Sequence, residues 1–73
     1  MNAEAFLAAV GANVRAARER QGMTQADLAE RSGVRQSAIS DLERGIRAMR
    51  IDTMARIAES LNIPIGKLLT LPK

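Results

Sequence analysis

Residues Gln25 to Arg44 read QADLAERSGVRQSAISDLER, and this run decides how the rest of the 73-residue chain is read. Thr24, just before it, and Asp27 have the spacing of a capping box. The Thr hydroxyl can accept from the Asp27 backbone N–H while the carboxylate reaches back to Thr24. A helix is predicted from Gln25 to Arg31, stopped at Ser32-Gly33, and a second from Gln36 to Arg44, stopped at Gly45. Two short helices crossing steeply through a tight turn make few demands. A small residue is needed at the crossing, which Ala29 supplies, and a residue tolerant of positive φ in the turn, which Gly33 supplies. Leu28, Val34, Ile39 and Leu42 provide the apolar contact faces at the required spacing. Ser32 fits least well, because a more apolar side chain would help fill the turn. The stretch is read as a helix-turn-helix unit.

Outward from that unit the periodicity stays helical, and alternating strand patterns are missing. Asn2 can cap a first helix whose apolar face is Phe6, Leu7, Val10, Val14 and Ala17, ending at Gln21-Gly22. Gly11 falls inside this helix. A fourth helix is predicted from about Ile51 to Leu61, burying Ile51, Met54, Ile57, Ala58 and Leu61, with Asn62 closing it. Pro64, tolerated in a first turn, opens a last short helix whose apolar residues are Ile65, Leu68 and Leu69. The expectation is an all-α, compact five-helix bundle forming a single domain over residues 1–73, with the helix-turn-helix at about 25–44. The Met side chains at 23, 49 and 54 are expected as core filler.

Composition narrows the function. The chain has no Cys, no His, no Trp, no Tyr and one Phe, so the common general base and the common metal ligands are missing. Lys67 and Lys73 have only Thr70 close by in sequence, which offers no hydrolase arrangement. No enzyme activity, catalytic residue, cofactor or metal is expected. The net charge is +3, and nine of the eleven cations are Arg, the side chain suited to bidentate contacts with phosphate and guanine. No apolar run approaches the roughly 18–20 residues needed to span a membrane. The opening Met1-Asn2-Ala3-Glu4 lacks the cationic segment of a secretory signal. A cytoplasmic protein, bacterial or phage-derived, with no membrane partner and no small-molecule ligand is expected.

The pattern GMTQADLAERSGVRQSAISDLERG, followed by MARIAESLNIPIGKLL, resembles the Cro/repressor-type helix-turn-helix domain of the XRE family. The resemblance runs from about Gly11 to Leu69. It implies a lambda-repressor-like DNA-binding domain, usually acting as a dimer on a two-fold operator. A chain ending after the fifth helix is expected among the minimal forms, and its opening AFLAAVGANVRAAR is similar to the controller proteins of restriction–modification systems. Arg18 and Glu43 match a family pair that bridges the first and third helices, and Gln25 matches a position that clamps the DNA backbone. The positions of Gln36, Ser37 and Asp41 are base-reading ones in the family. Where the family often has Asn-Pro-Ser this chain has Ala48-Met49-Arg50, which removes the usual cap of the fourth helix.

With Ala38, Ile39 and Leu42 turned inward, the helix from Gln36 would present Gln36, Ser37, Ser40, Asp41 and Arg44 to the major groove. Gln36 can bind adenine bidentately, and the two hydroxyls can donate or accept. Asp41 can accept from cytosine, or hold Arg35 or Arg44 in register; Arg35 can meet guanine or phosphate. Phosphate contacts are expected from Thr24, Gln25, Arg44, Arg47 and Arg50. Apolar residues Ile63, Ile65, Leu68 and Leu69 suggest a homodimer surface over about 61–71. A dimer would space its reading helices by about 34 Å, one turn of DNA, and so require an inverted-repeat operator. The alternative is an antitoxin-type regulator that also binds a toxin protein.

Overall fold

Four capping devices set where the chain turns helical and where it stops. In the computed structural model, which describes residues 2–71, the Asn2 side chain accepts from the Ala5 N–H at 2.8 Å and starts α1, Ala3–Arg20. Thr24 and Asp27 close a complete capping box at the head of α2, Gln25–Ser32, with bonds of 3.0 and 2.9 Å. Gly33 ends α2 in the left-handed conformation, φ 72°. Asn62, also left-handed at φ 61°, follows α4. The remaining helices are α3, Gln36–Glu43, α4, Ile51–Ser60, and α5, Ile65–Leu68. Among the described residues all regular structure is helical. Met1, Pro72 and Lys73, the ends of the expected domain, lie outside the described residues.

Helix bounds differ from the expected ones by a residue where caps decide them. Ser32 belongs to α2, and Arg44 and Leu61 are the C-caps of α3 and α4 rather than their last residues. Pro64 sits one position earlier than expected, as the extended N-cap of α5. The core draws Val10, Val14 and Ala17 from α1, Leu28 from α2, Ile39 and Leu42 from α3, Met54, Ile57 and Ala58 from α4, and Leu68 from α5. Met23, Val34 and Leu61 close it from the connections. Those on α1, α3 and α4 are apolar side chains at helical spacing, so burial of one stripe on each of these helices organises the bundle. The body measures 32 × 21 × 20 Å.

Two expected core residues are not core. Phe6 and Ile51 are 37% and 65% exposed. Both stand in the first turn of their helices, and with Leu7 and Met49 they line an open cleft of about 200 Å³. Periodicity names the face of a helix but not whether a neighbour fills the space before it. Gly11 has the opposite character: a Cβ there would stand 2.2 Å from the Leu42 carbonyl oxygen and 2.8 Å from that of Glu43. Its missing side chain lets α1 press directly on the end of α3, and that contact fixes the angle at which α3 is presented. Ser32, the poorest fit in the sequence, is buried, and its Oγ accepts from the Val34 N–H at 3.2 Å. The hydroxyl pays a turn N–H the partner that an apolar side chain would leave unmet.

Candidate nucleic-acid interface

The helix α3 packs by Ile39 and Leu42, which are 0% and 1% exposed, against α1 and α2. Its other side carries Arg35, Gln36 and Ser37, exposed, and Ser40 and Asp41, half-buried. Ala38 is half-buried at the boundary rather than fully inward. With Arg44, exposed at the C-cap, the residues expected to face outward, Gln36, Ser37, Ser40 and Asp41, share one polar stripe, and Arg35 precedes it. Arg35 is the N-cap and makes no side-chain cap bond, so the first N–H groups of α3 are open to an incoming acceptor. Arg35 makes no ion pair among the described residues.

Behind that stripe lies the joint that holds it. The Arg18 guanidinium donates to both carboxylate oxygens of Glu43, at 2.7 and 2.9 Å, and to the Met23 carbonyl at 2.8 Å. The two side chains are only 10% and 3% exposed. Gln25 Nε2 donates to the same Glu43 carboxylate at 3.1 Å. One carboxylate thus joins α1, α2 and α3. Burial alone would raise the Glu43 carboxyl, but the hydrogen bonds from Arg18 and Gln25, with the Arg18 charge, hold it below its ordinary value. The Arg18 guanidinium is held above its own, first by the hydrogen bond to Glu43 and against the effect of burial. The bidentate geometry of this pair is what a planar guanidinium provides and an ammonium does not.

The flanks hold the expected phosphate donors in different states. Thr24 is engaged: its N–H donates to Asp27 and its hydroxyl accepts from the Asp27 N–H. The Asp27 carboxyl is held below its ordinary value by these bonds and is the resident anion at this helix start. Gln25 uses one amide hydrogen on Glu43 and has a second to offer. Arg44 and Arg47 both lean on Asp41, at 3.4 and 3.8 Å, while remaining 64% and 74% exposed. Arg50 pairs with Asp52 at 3.2 Å, both exposed. Of the two cations named as partners for Asp41, Arg44 is met and Arg35 is not; Arg47 takes the second oxygen. Asp52 was missed, although an acidic residue in the first turn of α4 is a legible signal.

The expected dimer surface is divided by the packing. Leu68 is 0% exposed and lies wholly in its own chain's core, so it offers no surface, and Leu61 is buried likewise. Ile63, Ile65 and Leu69 are half-buried, packed against that core on one side. Asn13, which the sequence reading passed over, ties α5 to α1 by donating to the carbonyls of Leu68 and Thr70 at 2.9 and 2.7 Å. Its partners lie 55 and 57 residues away, beyond any local pattern. No helix among the described residues is long and apolar enough to cross a membrane.

Comparison with known proteins follows the same outline. A helix-turn-helix family model matches residues 14–68. An uncharacterized HTH-type transcriptional regulator of Sinorhizobium fredii, y4dL, is 42% identical over 52 residues, 71% of this chain and 26% of that protein. The chain therefore spans about a quarter of that relative's length. Control protein C.SmaI of Serratia marcescens is 38% identical over 58 residues, covering 80% of this chain and 69% of that one. Among solved structures, the restriction-modification controller protein C.AhdI from Aeromonas hydrophila superposes with a TM-score of 0.88 at 29% identity, covering 93% of this chain and 99% of that one.

Proposed function

The chain belongs to the helix-turn-helix family of transcriptional regulators, and from that premise we propose that it binds an inverted-repeat operator in double-stranded DNA as a homodimer, with α3 in the major groove. The observation that carries this reading is the polar stripe on α3, uncapped at its N-terminus and bordered by exposed guanidinium groups. Gln36, Ser37 and Ser40 are the base readers, with Arg35 reaching guanine from the cap position. Gln25, Arg44, Arg47 and Arg50 hold phosphates on either side, and the N–H groups at the start of α2 assist. Ile63, Ile65 and Leu69 supply the apolar part of the dimer contact. Such a regulator works in the cytoplasm of a bacterial or phage-infected cell and performs no chemistry on the DNA.

Within the family, a controller of a restriction–modification system is the reading that the similarity to C.SmaI and C.AhdI supports. The second of these matters more, because this chain covers 99% of it and matches its full outline. Nothing in the geometry or the comparisons favours a toxin partner.

The test is selection of bound duplexes from a random pool, followed by footprinting. A short inverted repeat with half-sites about 34 Å apart is expected. Gln36→Ala and Arg35→Ala should each relax preference at one position of the half-site, by about 1–3 kcal/mol per lost bidentate contact. Arg47→Ala should weaken every duplex alike and reduce the salt slope by about 1. An unchanged site preference in both reading-helix variants would refute the assignment of α3.

A further inference from the structure

Asp41 stands on the presented side of α3, and each of its carboxylate oxygens faces a different arginine. Oδ1 faces Arg44 at 3.4 Å and Oδ2 faces Arg47 at 3.8 Å. Its backbone carbonyl accepts the Ile46 N–H at 2.9 Å, and Gly45 between them takes φ 70°, so the chain folds back and returns Arg47 to the same carboxylate. Both guanidinium groups are mostly exposed, at 64% and 74%, and exposed pairs of this length contribute little to stability. Arg44 uses one terminal nitrogen and Arg47 its Nε, so each keeps donors facing solvent.

We infer that Asp41 is a positioning residue of this interface, a counter-charge that holds Arg44 and Arg47 in register for phosphate and limits how tightly the protein binds DNA of any sequence. The inference rests on the DNA-binding reading above. The two oxygens face two cations, and the charge of −1 that they bring is subtracted from the field that draws phosphate. The cations at Arg35, Arg44, Arg47 and Arg50 then act with two carboxylates, Asp41 and Asp52, set among them. A domain that must leave nonspecific DNA to find an operator gains from that restraint.

Binding of the wild type, Asp41→Asn and Asp41→Glu is measured on two duplexes of equal length across a salt series. One is the tightest duplex recovered by the selection above; the other is its scrambled sequence. The expected result is that Asp41→Asn binds both duplexes about three- to tenfold more tightly at low salt, with a salt slope steeper by up to about 1. Asp41→Glu should return both affinities to within about twofold of the wild type, since it restores the charge within reach of both cations. A loss confined to the selected duplex, with one base pair no longer discriminated, would show that Asp41 reads a base and overturn the inference. No change on either duplex would also overturn it, as would a change in melting temperature without a change in salt slope. A wild type that binds both duplexes equally, or neither, would instead remove the operator-binding reading, and the inference with it. Circular dichroism of each variant confirms the fold, and Asp41→Ser repeats the charge removal should the Asn variant not fold.

Discussion

Two carboxylates on α3, two residues apart, meet arginines and do opposite work. Glu43 points inward, is 3% exposed and is gripped by Arg18 at 2.7 and 2.9 Å; Asp41 points outward, is 28% exposed and touches Arg44 and Arg47 at 3.4 and 3.8 Å. The chemistry is the same and the solvent differs. Inside, the charges have no water to return to, so each is bound to its partner and the three helices they join are fixed in place. Outside, water and salt compete, and the same groups remain available to a ligand. Two residues of one helix thus separate the part that sets the shape of the surface from the part that meets whatever binds it.

Breaking the inner pair should have the largest effect. Glu43→Ala leaves the Arg18 charge buried without its partner, and a loss of about 3–5 kcal/mol in urea denaturation is expected, enough to unfold much of so small a domain. A loss under about 1 kcal/mol would mean that water reaches Arg18 and that the contrast between the two sites is overstated. Next is the seam in which this pair sits. Gly11→Ala places a methyl group against the carbonyls of Leu42 and Glu43, which are backbone and cannot swing aside. Destabilisation toward the upper end of about 1–3 kcal/mol is expected, with a lowered melting midpoint as the readout.

The pH dependence separates the two sites without a change to the inner pair. The Glu43 carboxyl sits below its ordinary value of 4.5 in the folded chain, so its contribution is full above that value and is lost as the pH falls through the folded-state one. Asp27, lowered by the Thr24 bonds, acts in the same direction at the head of α2. Stability against urea should be level between about pH 7 and 5 and should fall in more acid solution. Asp41→Asn should leave that acid limb in place. The smallest effect is that of Asp41→Asn on stability itself: within about 0.5 kcal/mol at neutral pH. A larger loss would make Asp41 structural, a second Glu43 rather than its opposite.

Much of this was legible in the sequence where the signal is local. The capping box at Thr24 and Asp27, the left-handed Gly33 and the inward Ile39 and Leu42 each follow from residues within a few positions of one another. So did the outward stripe from Gln36 to Asp41, because placing two apolar residues on a helix places the others. The failures were of reach. Phe6 and Ile51 lie on the apolar faces of their helices but line a cleft that no described element fills. Leu68 has the spacing of a surface strip and is enclosed by the core instead. The bonds of Asn13 and the return of Arg47 to Asp41 join segments that no local rule brings together.

By itself the sequence determined the helices, their stops and which side of each is apolar, since these depend on backbone preferences and on periods of three and four residues. From them came the helix-turn-helix and the family resemblance. Only the tertiary structure decided which charges were free. Arg44, Arg47 and Arg50 are equal as letters, but two share Asp41 and one leans on Asp52, while Arg18 is sealed against the Glu43 with which the resemblance pairs it. A charge is worth what its solvent exposure and nearest counter-charge allow, and both are set by how the helices pack.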